Sequence, residues 1–362
     1  MRSKKQIHFL AINNYPKAIG GLEIFNYYFV QNISTYFPVS TSGYDPIKGI
    51  EFHRILKLRP QTLFIGLQFF LKLLKLRKKI KLVVLSYSEA NSFVWLSIAL
   101  ACKIAGLPYA VIHHWGVSPN WTPKLPYLYL FNNSAFSIGI SKMICEDYSK
   151  LLEKKLIYIP PLIPFSFSDK SKMDIRAEYN IPDNAKIICY VGSLKSLKRP
   201  QLILDAFIKH SDYFISNNFY LIFAGDGEYK HKMHQKIEAN NLDNRIRLLG
   251  NVLRENIGDI YKMSDYYVIL SEYEGTPLSM LEAMFNSLPI VAANAPGINS
   301  IIETNRNGIL FDPEKTDDLF NKIKNLNEND DLRMKIAKSA FSDYQIKYNY
   351  QLMLDKYIEL LK

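Results

Sequence analysis

Residues 266–284 read Tyr266-Tyr-Val-Ile-Leu-Ser-Glu-Tyr-Glu-Gly-Thr-Pro-Leu-Ser-Met-Leu-Glu-Ala-Met284. The first five residues predict a strand, because they are apolar and rich in aromatic and β-branched side chains. Thr276 suits an N-cap and Pro277 suits the first helical position, so a helix is predicted to begin there. A strand that runs through a short loop into a helix is the repeating unit of an α/β fold.

Glu274 and Glu282 are the only charged residues between Tyr273 and Ile302. Glu282 falls inside an apolar helix, where an unpaired carboxylate would cost several kcal/mol. A structural glutamate bonded to backbone amides is one interpretation of Glu282, and a cap-side charge is one of Glu274. The other interpretation is a ligand site, since the free amides of a helix N-terminus bind anions.

The same alternation of strands and helices runs through the whole chain and predicts parallel sheets covered by helices. A length of 362 residues predicts two domains. The proline-rich stretch 159–168 sets their boundary, giving domains 1–163 and 164–344, with the helix 345–362 packing back on the first. The predicted strands are 7–12, 82–86, 109–113, 137–140, 187–191, 220–224, 246–249, 266–270 and 289–292.

Composition excludes several classes of protein. With 48% hydrophobic and 22% charged residues, the chain is an ordinary globular protein. The three cysteines share no ligand spacing, which argues against a zinc site or a disulfide framework. No export signal is expected, and the apolar stretch 93–112 is interrupted by Lys103, Gly106 and Pro108, so a cytoplasmic protein is predicted.

The net charge of +11 lies in the first half of the chain. Residues 48–81 hold ten basic residues and one acid, with leucine and phenylalanine interleaved. This pattern predicts contact with an anionic membrane surface. The alternative is an amphipathic surface helix with a solvated basic face. No nucleic-acid partner is expected, because no recognised binding motif accompanies the charges.

Motifs in the second half resemble those of the retaining glycosyltransferases of family 4, also called glycosyl transferases group 1. The motifs are Val191-Gly-Ser-Leu-Lys-Ser-Leu-Lys-Arg, Ala224-Gly-Asp-Gly, Leu249-Gly-Asn-Val, the Glu274–Glu282 element and Asn307-Gly-Ile-Leu. The first half agrees more weakly, through Gly20-Gly21 and His113-His114. The resemblance implies a GT-B fold, in which an acceptor-binding and a nucleotide-sugar-binding Rossmann-like domain have a cleft between them.

The resemblance also implies a role for each matching residue. Glu274 would contact the donor sugar, Glu282 the ribose, and Lys198 the diphosphate. Ser193 stands where relatives often have arginine, and Arg199 is a candidate substitute. The full implied donor set is Ser193, Lys198, Arg199, Gly250, Val252, Glu274, Gly275, Thr276, Pro277, Leu278 and Glu282.

The first half supplies the remaining candidates. His114 is the implied catalytic histidine beside Glu274 and Lys198, with His113 as the alternative. Either could instead be structural. Gly20 and Gly21 precede a predicted helix and form a candidate phosphate or acceptor loop, although a plain turn explains them equally well.

The resulting hypothesis is transfer of a hexose from UDP- or GDP-hexose to a lipid-linked or growing glycan, with retention of the anomeric configuration. Cell-surface polysaccharide or lipopolysaccharide synthesis on the inner face of the membrane is the expected setting. No Asp-x-Asp motif occurs, so neither a metal nor a cofactor is expected. The alternatives are a nucleotide-sugar epimerase or hydrolase on the same fold, and a non-catalytic scaffold at the membrane surface.

Overall fold

The computed structural model describes residues 5–10, 21–56, 61–87, 92–114, 125–165, 167–315 and 317–362. The chain divides into two compact units, the first of Met1–Pro164 with Tyr350–Lys362 and the second of Phe165–Asn349. The boundary expected from the proline-rich stretch lies one residue before this division. Each unit is built on one sheet whose strand pairs are all parallel.

The first unit contains a seven-stranded sheet of order β3-β2-β1-β4-β5-β6-β7. Its inner strands are almost wholly buried, as expected when helices cover both faces of a parallel sheet. The strands are β1 Gln6–Leu10, β2 Val39–Gly43, β3 Glu51–Arg54, β4 Ile80–Tyr87, β5 Tyr109–His113, β6 Phe136–Gly139 and β7 Ile157–Tyr158. The helices that precede the second unit are α1 Gly21–Ile33, α2 Gln61–Leu76, α3 Ser92–Ile104, α4 Leu125–Asn132 and α5 Lys142–Ser149.

The second unit contains a six-stranded sheet of order β10-β9-β8-β11-β12-β13. Its strands are β8 Lys186–Val191, β9 Phe219–Ala224, β10 Ile246–Gly250, β11 Tyr266–Ile269, β12 Ile290–Ala293 and β13 Ile309–Phe311. Its helices are α6 Lys172–Glu178, α7 Gln201–Lys209, α8 Ser211–Ser216, α9 Lys230–Ala239, α10 Ile257–Met263, α11 Leu278–Phe285, α12 Asp318–Glu328 and α13 Asp330–Asp343. Short 3-10 helices cover Ser196–Lys198 and Arg254–Asn256, and a π-helix covers Tyr344–Tyr348. The α/β architecture expected from the sequence is confirmed.

The last helix, α14 Tyr350–Leu361, belongs to the first unit. The ring of Tyr357 packs on Phe29 of α1, with 5.1 Å between the centroids. The Lys81 ammonium donates to the carbonyl of Leu361 at 2.7 Å. A cation placed at the last carbonyls of a helix complements its dipole, which fixes the end of α14 against β4.

The basic stretch 48–81 is not a single helix. It contains β3, α2 and the first residues of β4. The short strand β2 escaped prediction because Ser40, Thr41 and Ser42 are polar although all three are buried, and β3 escaped because its sequence Glu-Phe-His-Arg is mostly polar. No helix in the described part of the chain is both long and apolar enough to cross a bilayer.

Candidate functional site

The second sheet has a topological switch point between β8 and β11. From β8 the chain adds β9 and β10 on one side, and from β11 it adds β12 and β13 on the other. Loops that leave the carboxyl ends of such neighbouring strands diverge, and ligands bind in the crevice between them. Lys198 lies in the loop after β8, and Glu274 lies in the loop after β11.

Lys198 and Glu274 are in direct contact although 76 residues separate them. The Lys198 ammonium forms an ion pair with Oε1 of Glu274. The hydroxyl of Ser271 donates to the same oxygen at 2.6 Å. The side chains are 28% and 14% exposed, so the pair is partly shielded from water yet remains accessible. The two residues that the sequence assigned to the sugar and the diphosphate therefore lie side by side.

Helix α11 begins one residue later than predicted. Pro277 has an extended backbone and is the N-cap, and its carbonyl accepts from the amides of Met280 at 3.1 Å and Leu281 at 3.2 Å. The predicted capping by Thr276 is therefore wrong. The extended ψ of Pro277 keeps that residue outside the helix, so the first intrahelical bonds run to its carbonyl and the cap has no side-chain hydrogen bond.

The loops around Glu274 are tied to one another through backbone atoms. Glu274 donates its amide to the carbonyl of Pro296 at 3.0 Å, and Glu272 donates to Leu197 at 2.9 Å. The Arg199 guanidinium donates to the carbonyl of Leu270 at 2.9 Å and to that of Ser271 at 3.2 Å. Arg199 thus holds the end of β11 in place, and these contacts supply no evidence that it replaces the arginine missing at Ser193.

Glu282 is buried inside α11 and has two side-chain partners. Its Oε1 pairs with the guanidinium of Arg254, and its Oε2 accepts from the hydroxyl of Tyr261 at 2.7 Å. Of the two interpretations left open by the sequence, a structural glutamate bonded to backbone amides does not describe these partners, which are side chains. Burial, together with the Glu282 charge, raises the pKa of Tyr261 well above its usual value, so the hydroxyl remains a donor.

The sequence analysis missed Arg254 and Tyr261. A signal for Arg254 existed, because an isolated buried acid requires a cation. Arg254 is the first cation after Gly250 and Val252, two members of the implied donor set. Nothing in the sequence distinguished Tyr261 from the other tyrosines of the second half.

The other implied donor residues occupy the same edge of the second sheet. Ser193 lies between β8 and the 3-10 helix of Lys198, and its carbonyl accepts from the hydroxyl of Tyr190 at 2.9 Å. Gly250 ends β10, and its carbonyl accepts from the amide of Gly225 at 2.8 Å. Val252 is half-buried, and Gly275 joins Glu274 to Thr276 ahead of the N-terminus of α11.

The adjacent histidines His113 and His114 lie in different environments. His113 is fully buried, contacts the hydroxyl of Tyr148 at 2.9 Å and is packed against aromatic rings. His114 follows β5 and is only partly buried. Of the two, His114 is the histidine that retains an exposed surface at the carboxyl end of the sheet.

The hydrogen bonds of His114 define its tautomer. The Ser86 hydroxyl donates to Oδ1 of Asn26 at 2.6 Å, and Nε2 of His114 lies 3.1 Å from the same hydroxyl. A hydroxyl has one hydrogen, so Nε2 of the imidazole carries the proton and Nδ1 is its acceptor. Burial lowers the pKa of His114 to about 3, which keeps the ring neutral near pH 7.

Of the glycine pair Gly20-Gly21, only Gly21 lies within the residues that the structure describes. Gly21 is the exposed first residue of α1. Gly20 lies outside the described residues. The first turn of α1 carries Glu23, an acid at the position where a bound phosphate would be repelled. The described part of this candidate loop therefore adds no support for a phosphate site.

Residues 171–343 match the family described as Glycosyl transferases group 1. An alpha-D-kanosaminyltransferase of Streptomyces kanamyceticus is 25% identical over 50% of this chain and 46% of its own length. The UDP-Gal:alpha-D-GlcNAc-diphosphoundecaprenol alpha-1,3-galactosyltransferase of Escherichia coli is 24% identical over 83% of this chain and 80% of its own length. The chain thus spans about half of the first relative and four-fifths of the second.

Solved structures agree over the whole chain. Anabaena HepE in complex with UDP and glucose has a TM-score of 0.81 at 19% identity, covering 99% of both chains. WaaG, a glycosyltransferase involved in lipopolysaccharide biosynthesis, has a TM-score of 0.75 at 14% identity, covering 98% of this chain and 99% of its own. At such identities the likeness establishes the fold. The chain therefore has the two-domain GT-B fold, and its residues 171–343 match the glycosyl transferases group 1 family.

Proposed function

We propose that this protein transfers a hexose from a nucleotide-sugar to a hydroxyl of a lipid-linked or growing glycan, with retention of the anomeric configuration. One observation carries the proposal: Lys198 and Glu274 contact each other beside the N-terminus of α11, at the switch point of the second sheet. A cation, a carboxylate and free helical amides are the groups that a sugar diphosphate requires at one place.

The leaving group sets the electrostatic demand on the site. When the sugar–phosphate bond breaks, negative charge develops on the diphosphate and positive charge on the sugar ring. Lys198 and the amides at the start of α11 would stabilise the diphosphate, because they are already oriented before the reaction. Glu274 would accept hydrogen bonds from sugar hydroxyls through its partly exposed carboxylate.

Lys198 has two roles in this scheme. In the ligand-free protein its ammonium compensates Glu274, and with donor bound it would lie between that carboxylate and the diphosphate. A lysine suits this exchange, since its flexible stem carries a point charge with three donors. We propose no metal and no organic cofactor, because these groups supply the charge that the leaving group needs.

His114 would act as a neutral positioning group. Its Nε2 is committed to Ser86, so Nδ1 is the atom available to accept a hydrogen bond from a sugar or acceptor hydroxyl. With no nucleophile assigned to the sugar face, we propose attack on the face from which the diphosphate leaves. An NMR spectrum of the product that showed inversion at the anomeric carbon would contradict this part.

Relatives guide the choice of substrates. HepE is solved with UDP and with UDP-glucose, and the Escherichia coli relative is named for a diphosphoundecaprenol-linked acceptor. We therefore propose a UDP-hexose as the first donor to test and a polyprenyl-diphosphate glycan as the first acceptor. Synthesis of cell-surface polysaccharide or lipopolysaccharide is the corresponding pathway, with the protein bound peripherally to the inner face of the membrane.

The test compares two substitutions with matched neighbours. Lys198→Ala and Glu274→Ala should each lower transfer from a panel of UDP- and GDP-hexoses by about 100-fold, the usual effect of removing one preorganised group. The exposed Lys195→Ala and Glu272→Ala change charge equally within a few residues and should leave the rate near wild type. Product is measured by mass spectrometry.

Each alternative predicts a different result. Turnover like that of the wild type in both site variants would refute the proposal. Consumption of donor without any acceptor would favour an epimerase or hydrolase. Absence of binding to every nucleotide, measured by isothermal titration calorimetry, would favour a non-catalytic scaffold.

A further inference from the structure

Arg254 joins three parts of the second unit that are distant in sequence. It is the first residue of the 3-10 helix after the Gly250–Val252 loop. Its guanidinium pairs with Glu282 of α11 and lies over the ring of Phe165, with 5.6 Å from Cζ to the centroid. The side chain is only 14% exposed, so these contacts are protected from competition by water.

The carboxylate of Glu282 is held from two sides. Arg254 takes Oε1, and Tyr261 donates to Oε2 at 2.7 Å. The same Tyr261 hydroxyl lies 3.0 Å from the carbonyl of Ser279, and its single hydrogen is shared unequally, with Oε2 of Glu282 as the nearer acceptor. A carboxylate held at both oxygens cannot rotate freely about its last bond.

Such a carboxylate still has capacity to bind a ligand. Each ionised oxygen has about two acceptor positions, and Arg254 and Tyr261 use one on each oxygen. One acceptor position on each of two oxygens in a fixed plane matches two neighbouring hydroxyl donors. The 2′- and 3′-hydroxyls of a ribose form such a pair.

We propose that Arg254 is a positioning residue for ribose recognition: with Tyr261 it fixes the plane of the Glu282 carboxylate, so that the remaining acceptor positions receive the vicinal hydroxyls of a ribonucleoside diphosphate. The inference rests on the proposed function, because it takes the nucleotide-sugar as the ligand. It adds a prediction that the proposed function does not make, namely that a residue distant from the sugar sets discrimination between ribose and deoxyribose.

Arginine is required by this geometry. Its planar guanidinium is held between a ring face and a carboxylate, whereas a lysine ammonium offers neither a plane for stacking nor a fixed direction of donation. Arg254→Gln removes the charge. Arg254→Lys keeps the charge and removes the fixed orientation. The two variants together separate compensation of charge from positioning.

The test measures affinity for UDP and 2′-deoxy-UDP, and for GDP and 2′-deoxy-GDP, by isothermal titration calorimetry. We expect the wild type to prefer one ribonucleotide over its deoxy form by about tenfold or more, the size of a hydrogen bond to a charged acceptor. Arg254→Gln and Arg254→Lys should bring that ratio to within about twofold of unity. Arg254→Gln combined with Glu282→Gln should lose no more discrimination than Glu282→Gln alone, because the two residues act as one unit.

Arg245→Gln is the matched control. Arg245 also lies over an aromatic ring, that of Tyr220 at 4.8 Å, but precedes β10 and does not contact Glu282. Its variant should keep the wild-type ratio. Because both ligands are measured on the same preparation, partial unfolding of a variant would lower both affinities together and leave their ratio unchanged.

The outcomes separate the two proposals. If the wild type binds none of the nucleotides, the proposed function fails and this inference fails with it. If the wild type discriminates and Arg254→Gln discriminates equally well, the inference alone is overturned. Loss of the ratio in Arg254→Gln with retention in Arg254→Lys would assign Arg254 to charge compensation and would also overturn the positioning role.

Discussion

At the scale of the residue, the second unit compensates two carboxylates in different ways. Glu274 shares one oxygen between Lys198 and Ser271. In the proposed function the lysine would turn to a phosphate when the donor binds. Glu282 is more deeply buried and is held by Arg254, whose guanidinium is fixed by a ring. The first arrangement permits exchange of partners and the second maintains one geometry, which matches the roles proposed for sugar and ribose.

Gly297 packs closely against the backbone of the loop that carries Glu274. Gly297 has φ of +83°, and a Cβ at that residue would lie 1.8 Å from the carbonyl oxygen of Glu274. Gly297→Ala must therefore displace the loop that carries Glu274. We expect a fall in the free energy of unfolding of roughly 1–3 kcal/mol and a higher KM for the donor. Denaturant unfolding and initial rates measure the two effects.

Gly49→Ala separates backbone strain from displacement of the loop. Gly49 has φ of +81° and no atom within 4 Å of the added Cβ. Gly49→Ala should lower the free energy of unfolding only by the smaller amount that a left-handed backbone conformation costs an alanine. The KM for the donor should be unchanged. Equal KM values in the Gly297 and Gly49 variants would show that the loop does not depend on Gly297.

At the scale of the element, the sequence predicted the repeating strand–helix units. It missed the polar strands β2 and β3 and placed the start of α11 one residue too early. Apolar strands followed by helices identified the parallel architecture because buried parallel strands are continuously hydrophobic. Strands β2 and β3 lie at one edge of the first sheet and are polar, so hydrophobicity did not mark them. The cap of α11 differed by one residue, since proline suits both the N-cap and the first helical position.

The candidate site followed the same division. Lys198 and Glu274 lie in motifs that occur along the chain in the order typical of the family it resembles. Both residues could therefore be assigned to one ligand, the nucleotide-sugar, from the sequence. Arg254 and Tyr261 reach Glu282 from a short 3-10 helix and from α10, and such contacts depend on side-chain directions that periodicity does not encode.

Two helices of the first unit expose an apolar surface. On α2 the core side is Ile65, Phe69 and Leu73, and the opposite side exposes Leu67, Leu71 and Leu74 at helical spacing. On α3 the exposed apolar residues are Phe93, Leu100 and Ile104. The helices are closely packed where Gly66 meets Ser97, since a Cβ on Gly66 would lie 2.3 Å from the Ser97 hydroxyl. Exposed leucine beside Lys75 and Lys78 suits an anionic bilayer surface.

This surface predicts vesicle binding. The wild type should float with vesicles that contain phosphatidylglycerol and bind less to vesicles of phosphatidylcholine alone. Leu67→Glu with Leu71→Glu should lower recovery by about tenfold, and Lys75→Glu with Lys78→Glu should weaken binding by about 1 kcal/mol per charge in low salt. Met334→Glu, at a similarly exposed residue of the second unit, is the control and should float as the wild type does. Full recovery of the wild type in the soluble fraction would count against a membrane surface.

At the scale of the whole molecule, the two units carry different acid-sensitive groups. His8 and His113 are buried in the first unit, where burial lowers the pKa of each to about 3. In the second unit burial raises the pKa of Asp343, but hydrogen bonds from Arg306, Asn307 and Lys347 outweigh burial and hold it below its usual value. The first unit should therefore respond to acid at a higher pH than the second.

The direction in which stability changes with pH follows from which state, folded or unfolded, binds more protons. An unfolded histidine takes up a proton near its ordinary pKa of 6.5, whereas His8 and His113 in the folded unit do not until about pH 3. The unfolded state then binds more protons, so the stability of the first unit is full above pH 6.5 and falls from there toward pH 3. Asp343 begins to cost stability only as the pH falls below the ordinary carboxyl value of 3.8.

The tryptophans allow the units to be observed separately, because Trp95, Trp115 and Trp121 all belong to the first. On acid titration we expect tryptophan fluorescence to change between pH 6.5 and pH 3, while far-UV circular dichroism retains the signal of the second unit until lower pH. His113→Phe keeps an aromatic ring and removes one titrating group, so it should flatten the fluorescence profile in that window. The exposed His231→Phe, in the second unit, should leave it unchanged. Coincidence of the fluorescence and dichroism curves throughout the titration would show that the buried histidines do not make the first unit the more acid-sensitive one.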